Sequence, residues 1–280
     1  MKFLSKEYIE SLPAEPKHMT ELGKFVYYRT YSRFLPRIGR RETWKETVAR
    51  AVEYNIGLAY RHMKKLGVNV PLEELQKEAK ELFDSMYNLK QFLSGRTLWV
   101  GGADTKVADK FPLANFNCSF TNIQKWDDLA ELFYLLLVGT GVGFKCTKDM
   151  ANNLPPIRNN VEISHSEYKP LPANERLEDT ILQDFGNGYA KIYVGDSKEG
   201  WVEALRLYLH ILTKKEYEHV KSVKFSYNSV RPKGEALKTF GGYASGYEPL
   251  REMFDGFDQI LKGKLDPDLK PWEVVDKEKG

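Results

Sequence analysis

From residue 42 to residue 90, apolar side chains recur twice in succession at the spacing of an amphipathic helix, and no other feature constrains the fold as strongly. In the first stretch, about 42–64, Trp44, Val48, Ala51, Val52, Ile56, Ala59 and Tyr60 share a face, behind a charged first turn from Arg41 to Glu46. In the second, about 71–90, Pro71 stands at a permitted first-turn position, and Leu72, Leu75, Ala79, Leu82, Phe83 and Met86 line one side. The chain therefore opens with a helical region. The stretch that follows, "LKQFLSGRTLWVGGADTKVADKFPLANFNCSF", alternates turn formers with short apolar pieces and predicts strand and loop, with Cys118 in its last short strand.

Asp127 and Asp128 occupy the N-cap and first-turn positions of an apolar helix, Leu129 to Val138, that Gly139 stops. From about 152 to 196 the chain is rich in Pro, Asn and Glu, the composition of an exposed insertion and not of a core. An amphipathic helix follows at about 198–212 through Trp201, Ala204, Leu205, Tyr208 and Ile211. After it come a strand-like "VKSVKFSYNSV", the turn "LKTFGGYASG" and a last helix at about 249–261.

Composition narrows the function classes. The 42 Lys and Arg nearly cancel the 39 Asp and Glu, leaving a net charge of +3, which gives no case for nucleic-acid binding. Arg37, Arg40 and Arg41 form a short basic run whose ordinary reading is solvated surface. The longest apolar run, Leu132 to Val138, is far short of the roughly 20 residues of a membrane span and reads as a buried helix. The first twenty residues hold no apolar core of signal-peptide length, and two cysteines cannot staple a secreted fold, so a reducing cytoplasm fits best. The five histidines show no metal-ligand pairing on a helical face, and no Ser, His and acid triad stands out.

Several segments have residue types suited to chemistry. Cys118, in "ANFNCSF", is flanked by Asn117 and Ser119, polar neighbours that a purely structural thiol does not need. A single cysteine is still more often an inert small hydrophobe than a redox group, and spacing does not decide between the two. Cys146 lies between lysines at 145 and 148 and takes the structural reading. "GTGVGF", 139–144, misses the dinucleotide-binding spacing and lacks the Lys and Ser or Thr of a phosphate loop; it is either a tight turn or bare backbone that a ligand approaches closely. "VRPKGEALKTFGGYASG" gathers Arg231, Lys233 and Lys238 beside four glycines, an anion-receptive turn or a solvated loop. "GDSKEGW" reads as a helix start capped by Asp196 or Ser197, with Glu199 in the first turn.

Taken in order, "YYRTYSRFLP", "GRRETW", "LSGRTLWVGG", "NFNCSF", "GTGVGF", "GDSKEGWV" and "VRPKGEALKTFGGYASG" resemble the class II, monomer-type, adenosylcobalamin-dependent ribonucleoside-triphosphate reductases, over about residues 23–265. The resemblance implies an α/β fold: a helical amino-terminal region (1–90), the first part of the family's ten-stranded α/β barrel (91–149), an inserted effector-binding subdomain (150–238) and a continuation of the barrel (239–280). It implies that Cys118 is one of two thiols that reduce the ribose 2'-carbon and end as a disulfide. It also implies that Ser94, Gly95, Arg96 and Asn117 frame the substrate, with Gly139, Gly141 and Gly143 near the nucleotide.

The deoxynucleotide effector is expected against the helix starting at Asp127 and the segment after residue 147, with Asp127, Asp128, Arg231 and Lys233 as its contacts. The partners implied are a ribonucleoside triphosphate, a deoxynucleotide effector, a thioredoxin-type reductant and a carboxy-terminal partner chain, with no nucleic acid and no membrane. The family's radical cysteine, second redox cysteine and cobalamin-binding region have no counterpart before Gly280, so the resemblance implies that this segment does not reduce nucleotides alone. Two other readings stand beside it: a nucleotide-binding regulatory or assembly module of a split reductase, and a large-subunit segment of an iron-dependent reductase.

Overall fold

The computed structural model describes residues 2–103, 106–237 and 242–261. The chain divides into two compact units, Met1–Asn117 and Cys118–Gly280.

The first unit is helical. Two short helices, α1 (Lys6–Ser11) and α2 (Glu21–Thr30), precede a two-residue antiparallel ribbon, β1 (Phe34–Leu35) and β2 (Arg40–Arg41), and then the two long helices, α3 (Trp44–Lys65) and α4 (Leu72–Tyr87). α3 starts at Trp44 because a capping box closes its first turn: the Glu46 carboxylate accepts the Thr43 N–H at 2.8 Å. Arg40 holds the same carboxylate through two 2.7 Å bonds, which drives its pKa down to about 2. Most of the predicted faces are buried, with Val48, Ala51 and Val52 of α3 and Ala79, Phe83 and Met86 of α4 in one core, although Ala59 near the end of α3 is exposed. Each large side chain so removed from water contributes about 1.5–3 kcal/mol. The buried Trp44 indole donates to the Tyr87 carbonyl at 3.0 Å, tying the first turn of α3 to the last of α4.

Of the stretch expected as strand and loop, only the end is strand, at Cys118 as expected; before it the chain is built of short helical turns, α5 (Gly95–Val100), α6 (Val107–Lys110) and a 3-10 turn, Pro112–Asn115. α5 is too short to show periodicity. Its helicity comes from the Ser94 cap, whose hydroxyl accepts the Thr97 N–H, and from burial of Leu98 and Val100.

The second unit opens with a βαβ crossover. β3 (Cys118–Asn122) leads through α7 (Asp127–Leu137) to β4 (Gly141–Lys145), and the two strands pair in parallel. α8 (Lys148–Asn152) follows, then a four-stranded sheet of β5 (Glu162–His165), β6 (Ile181–Asp184), β7 (Tyr189–Tyr193) and β8 (Ser222–Ser226) in the order β5-β8-β7-β6. Only β6 runs antiparallel to its neighbour. α9 (Lys198–Thr213) carries the chain from β7 to β8, and α10 (Glu248–Leu261) closes the described chain.

The stretch from 152 to 196 is thus no simple surface insertion: it supplies three strands, and Val161, Ala190, Ile192 and Val194 are fully buried. Strands of four or five residues are short enough for the Pro-, Asn- and Glu-rich loops between them to dominate the composition. α9 begins where the cap pattern puts it, with the Ser197 hydroxyl accepting the Gly200 N–H at 2.8 Å. Within the "LKTFGGYASG" turn, residues 238–241, including Lys238, lie outside the described residues; beside them Ala236 and Tyr243 form an antiparallel bridge. No helix among the described residues is long and apolar enough to cross a membrane.

Candidate functional site

Cys118 is the first residue of β3, and its free thiol is exposed. Along the strand, exposure alternates, so Cys118, Phe120 and Asn122 face one way while Ser119 and Thr121 face the other. The parallel register sets Cys118 against Gly141 and Phe120 against Gly143. A methyl group added at Gly143 would meet the Phe120 ring at 3.1 Å and push that exposed ring aside by a few tenths of an ångström.

The "GTGVGF" segment has two parts. Gly139, at φ 85°, ends α7: its N–H donates to the Leu136 carbonyl at 2.9 Å, and the Thr140 N–H donates to Leu135 at 3.1 Å, the paired bonds of a Schellman cap. Gly141 and Gly143 then belong to β4 itself. Thr140, only 4% exposed, joins the two parts, since its hydroxyl donates to the Leu135 carbonyl at 3.2 Å and meets the Ser119 hydroxyl at 2.8 Å.

Cys146 is half-buried beyond the end of β4, and burial pushes its thiol pKa up despite the neighbouring lysines. It lies five residues past the register partner of Cys118, roughly 16 Å along a strand, well outside disulfide reach.

In the first unit, Ser94, Gly95 and Arg96 form the start of α5. The Tyr31 ring packs on Gly95 so closely that a methyl group there would sit 2.9 Å from it, and the Arg96 guanidinium lies 5.5 Å from the Trp99 ring centroid. Asn117 is the last residue of that unit. Composition and spacing did not point to what holds α5 in place. Arg50 donates to the Leu98 carbonyl at 2.8 Å and to that of Gly101, while Arg33 donates to Trp99 at 3.0 Å. Arg50 is in turn paired with the buried Glu42 at 2.8 Å. Glu42 reads as an ordinary helix-start charge in the sequence, and only its burial against Arg50 distinguishes it.

The two acids at the head of α7 have different tasks. Asp128 is buried, and its carboxylate accepts the N–H groups of Gln124 and Lys125 at 2.8 and 3.0 Å, closing the turn before the helix. Asp127 faces α9, where His210 lies at 2.8 Å and Arg206 at 3.8 Å. Beside them Trp126 lines an apolar cavity of about 370 Å³ with Ala151, Asn152, Leu154, Pro155, Pro156 and Ile157.

Arg231 is bound elsewhere. Its backbone N–H and its Nε both donate to Asp196, at 3.0 and 2.9 Å. Arg176, 9% exposed, bridges Asp196 to Glu235, to which it makes two 2.8 Å bonds. Lys233 is exposed nearby. Asp196 precedes α9 and His210 sits in its last turn, 14 residues on. Asp127 and Arg231 therefore attach to opposite ends of one helix, about 21 Å apart at 1.5 Å per residue. Among the described residues no group of three or more His, Cys, Asp and Glu is placed to hold a metal ion.

Comparison with known proteins agrees with this architecture. Residues 4–103 match the ribonucleotide reductase alpha domain, and residues 164–261 match the insertion domain of B12-dependent ribonucleotide reductase. The adenosylcobalamin-dependent ribonucleoside-triphosphate reductase of Lactobacillus gasseri is 32% identical over 92% of this chain and 38% of its own length; that of Lacticaseibacillus paracasei is 31% identical over 98% and 40%. A crystal structure of a B12-dependent, class II ribonucleotide reductase superposes with a TM-score of 0.78 at 28% identity, covering 94% of this chain and 40% of that one. The chain thus spans about two-fifths of the length of these relatives, and the ten-stranded barrel is covered only in part. Two family matches that bracket the thiol-bearing strand, together with a fold shared over nearly the whole chain, place this protein among the adenosylcobalamin-dependent, class II ribonucleotide reductases, as an amino-terminal portion of them.

Proposed function

We propose that this chain carries one of the two reducing thiols, part of the substrate frame and the effector-binding region of an enzyme that converts ribonucleoside triphosphates to 2'-deoxyribonucleoside triphosphates. The observation that carries the reading is the exposed Cys118 thiol at the head of β3, opposite the side-chain-free Gly141. In the reaction two thiols become one disulfide, the ribose 2'-carbon gains the two electrons, and the 2'-hydroxyl leaves as water. A dithiol of thioredoxin type then restores both thiols by exchange at cytoplasmic potentials. Cys118 would be one member of that pair, and the distance to Cys146 supports a partner thiol other than Cys146. Ser94, Gly95, Arg96 and Asn117 would frame the substrate, and the backbone amides of Gly139, Gly141 and Gly143 would lie near the nucleotide.

The effector, a deoxynucleotide, is placed beside α7 and the segment after residue 147. The cavity next to Trp126 supports this, being apolar and of a volume ordinary for a small-ligand site. Asp127 is then the nearer acid. Asp128 acts through the turn it closes, and Arg231 and Lys233 at the far end of α9 would act as a second contact point. Adenosylcobalamin, on which the named relatives depend, would be bound by a region outside this chain: the cavity beside Trp126 is far too small for a corrin with its nucleotide tail.

The test is reconstitution. This chain, a carboxy-terminal partner chain, adenosylcobalamin, a nucleoside triphosphate and a dithiol together should yield deoxynucleotide, and Cys118→Ser should reduce turnover to background. Full turnover by a folded Cys118→Ser complex would remove the redox role.

A further inference from the structure

We infer that Thr140 is the positioning residue that fixes both the register and the outward face of Cys118. β3 and β4 make a two-stranded parallel sheet of five residues each. A pair this small, in the less stable parallel pairing, has little backbone energy with which to define its own register. A slip by one residue would turn every side chain of β3 to the opposite face and carry Cys118 to the side now taken by Ser119. Side chains must therefore specify what the ladder does not.

One contact does so. The Thr140 hydroxyl donates to the Leu135 carbonyl in the capped end of α7. Its proton is thus committed, and the 2.8 Å contact with Ser119 is one in which Ser119 donates and Thr140 accepts. Thr140 is buried, so neither bond is easily replaced by water. Ser119 is the residue next to Cys118 and points to the other face of the strand. Holding Ser119 against the end of α7 leaves Cys118 facing away from the contact and opposite Gly141. A threonine between two glycines gives no sign of this task in the sequence.

The functional weight of this inference rests on the reading of Cys118 as a reducing thiol, but the geometry is tested without it. Thr140→Val preserves shape and removes the hydroxyl; Thr140→Ser keeps the hydroxyl. In the 280-residue chain, Thr140→Val should speed amide hydrogen exchange across Ser119–Asn122 about five- to tenfold, the effect of one net hydrogen bond. It should also change the rate of Cys118 alkylation by iodoacetamide relative to Cys146. Thr140→Ser should restore both. Should Thr140→Val fail to fold, Ser119→Ala carries the same expectation. Exchange and alkylation unchanged from the parent chain in a folded variant would overturn the inference. In the reconstituted enzyme, Thr140→Val should lower kcat with little change in the nucleotide KM. A loosened β3 beside a fully active Cys118→Ser enzyme would leave the positioning intact and remove only the redox reading.

Discussion

The second unit contains two sheets of opposite character. The four-stranded sheet is finished: Ile192 of β7 and Phe225 of β8 are fully buried, Phe225 stacks on Phe254 of α10 at 4.2 Å, and Tyr208 of α9 donates to Asp258 at 2.8 Å. The β3–β4 pair is unfinished. Phe120 and Phe144 are 63% and 62% exposed, and so are Cys118, Gly141 and Gly143 along the same strands. Parallel strands are ordinarily covered on both faces. The exposed Cys118 thiol therefore sits on the part of the unit whose packing is open, beside a sheet whose core is closed.

This contrast can be broken in three ways. Phe225→Ala should cost about 3–5 kcal/mol of stability in denaturant unfolding, because it empties a stacked position in a closed core. A loss under about 1 kcal/mol would mean that the four-stranded sheet is as loosely packed as the pair. A smaller effect is expected from acid. The Asp184 carboxylate accepts the Gly186 N–H at 2.9 Å and faces His219 at 2.6 Å, and these contacts, the backbone bond foremost, hold its pKa below the ordinary 3.8. A depressed carboxylate stabilises the folded state above its unfolded value, and that contribution is lost as pH falls through the folded one. Hydrogen-exchange protection in the β6–β7 hairpin should thus decline below about pH 3.8 in the parent chain and be flat there in Asp184→Asn. Smallest of all, Phe120→Ala should shift stability by no more than about 0.5 kcal/mol in this chain, as for other exposed positions. A loss as large as that of Phe225→Ala would show that β3 already has a covered face.

The elements that could be read from sequence are those whose signal repeats or is local. α3 and α4 span four turns or more, and their apolar faces recur often enough to be found; Ser197 and Gly139 mark helix ends through bonds reaching only a few residues. Short strands at Cys118 and within "VKSVKFSYNSV" were legible too, but other short elements escaped. α5 depends on a Ser94 cap and on arginines arriving from Arg33 and Arg50, and the strands between 162 and 193 were hidden by the polar loops that join them. For the candidate site the sequence offered residues and not distances. Family resemblance singled out Cys118 and the glycines, and the register does place Cys118 beside Gly141. It also grouped Asp127, Asp128, Arg231 and Lys233, which a 16-residue helix holds apart. Nor does a sequence show that two adjacent aspartates divide their work, one toward a neighbouring helix and one into its own turn.

The strand order β5-β8-β7-β6 has a temporal meaning. β5 and β7 never touch; β8, made last, lies between them. During synthesis a β6–β7 hairpin is available early, but β5 waits without a neighbour until Ser222–Ser226 has left the ribosome and Phe225 arrives in the same step. Assembly of this sheet is then governed by one late insertion between distant segments, the kind of non-local closure that folds slowly and all at once.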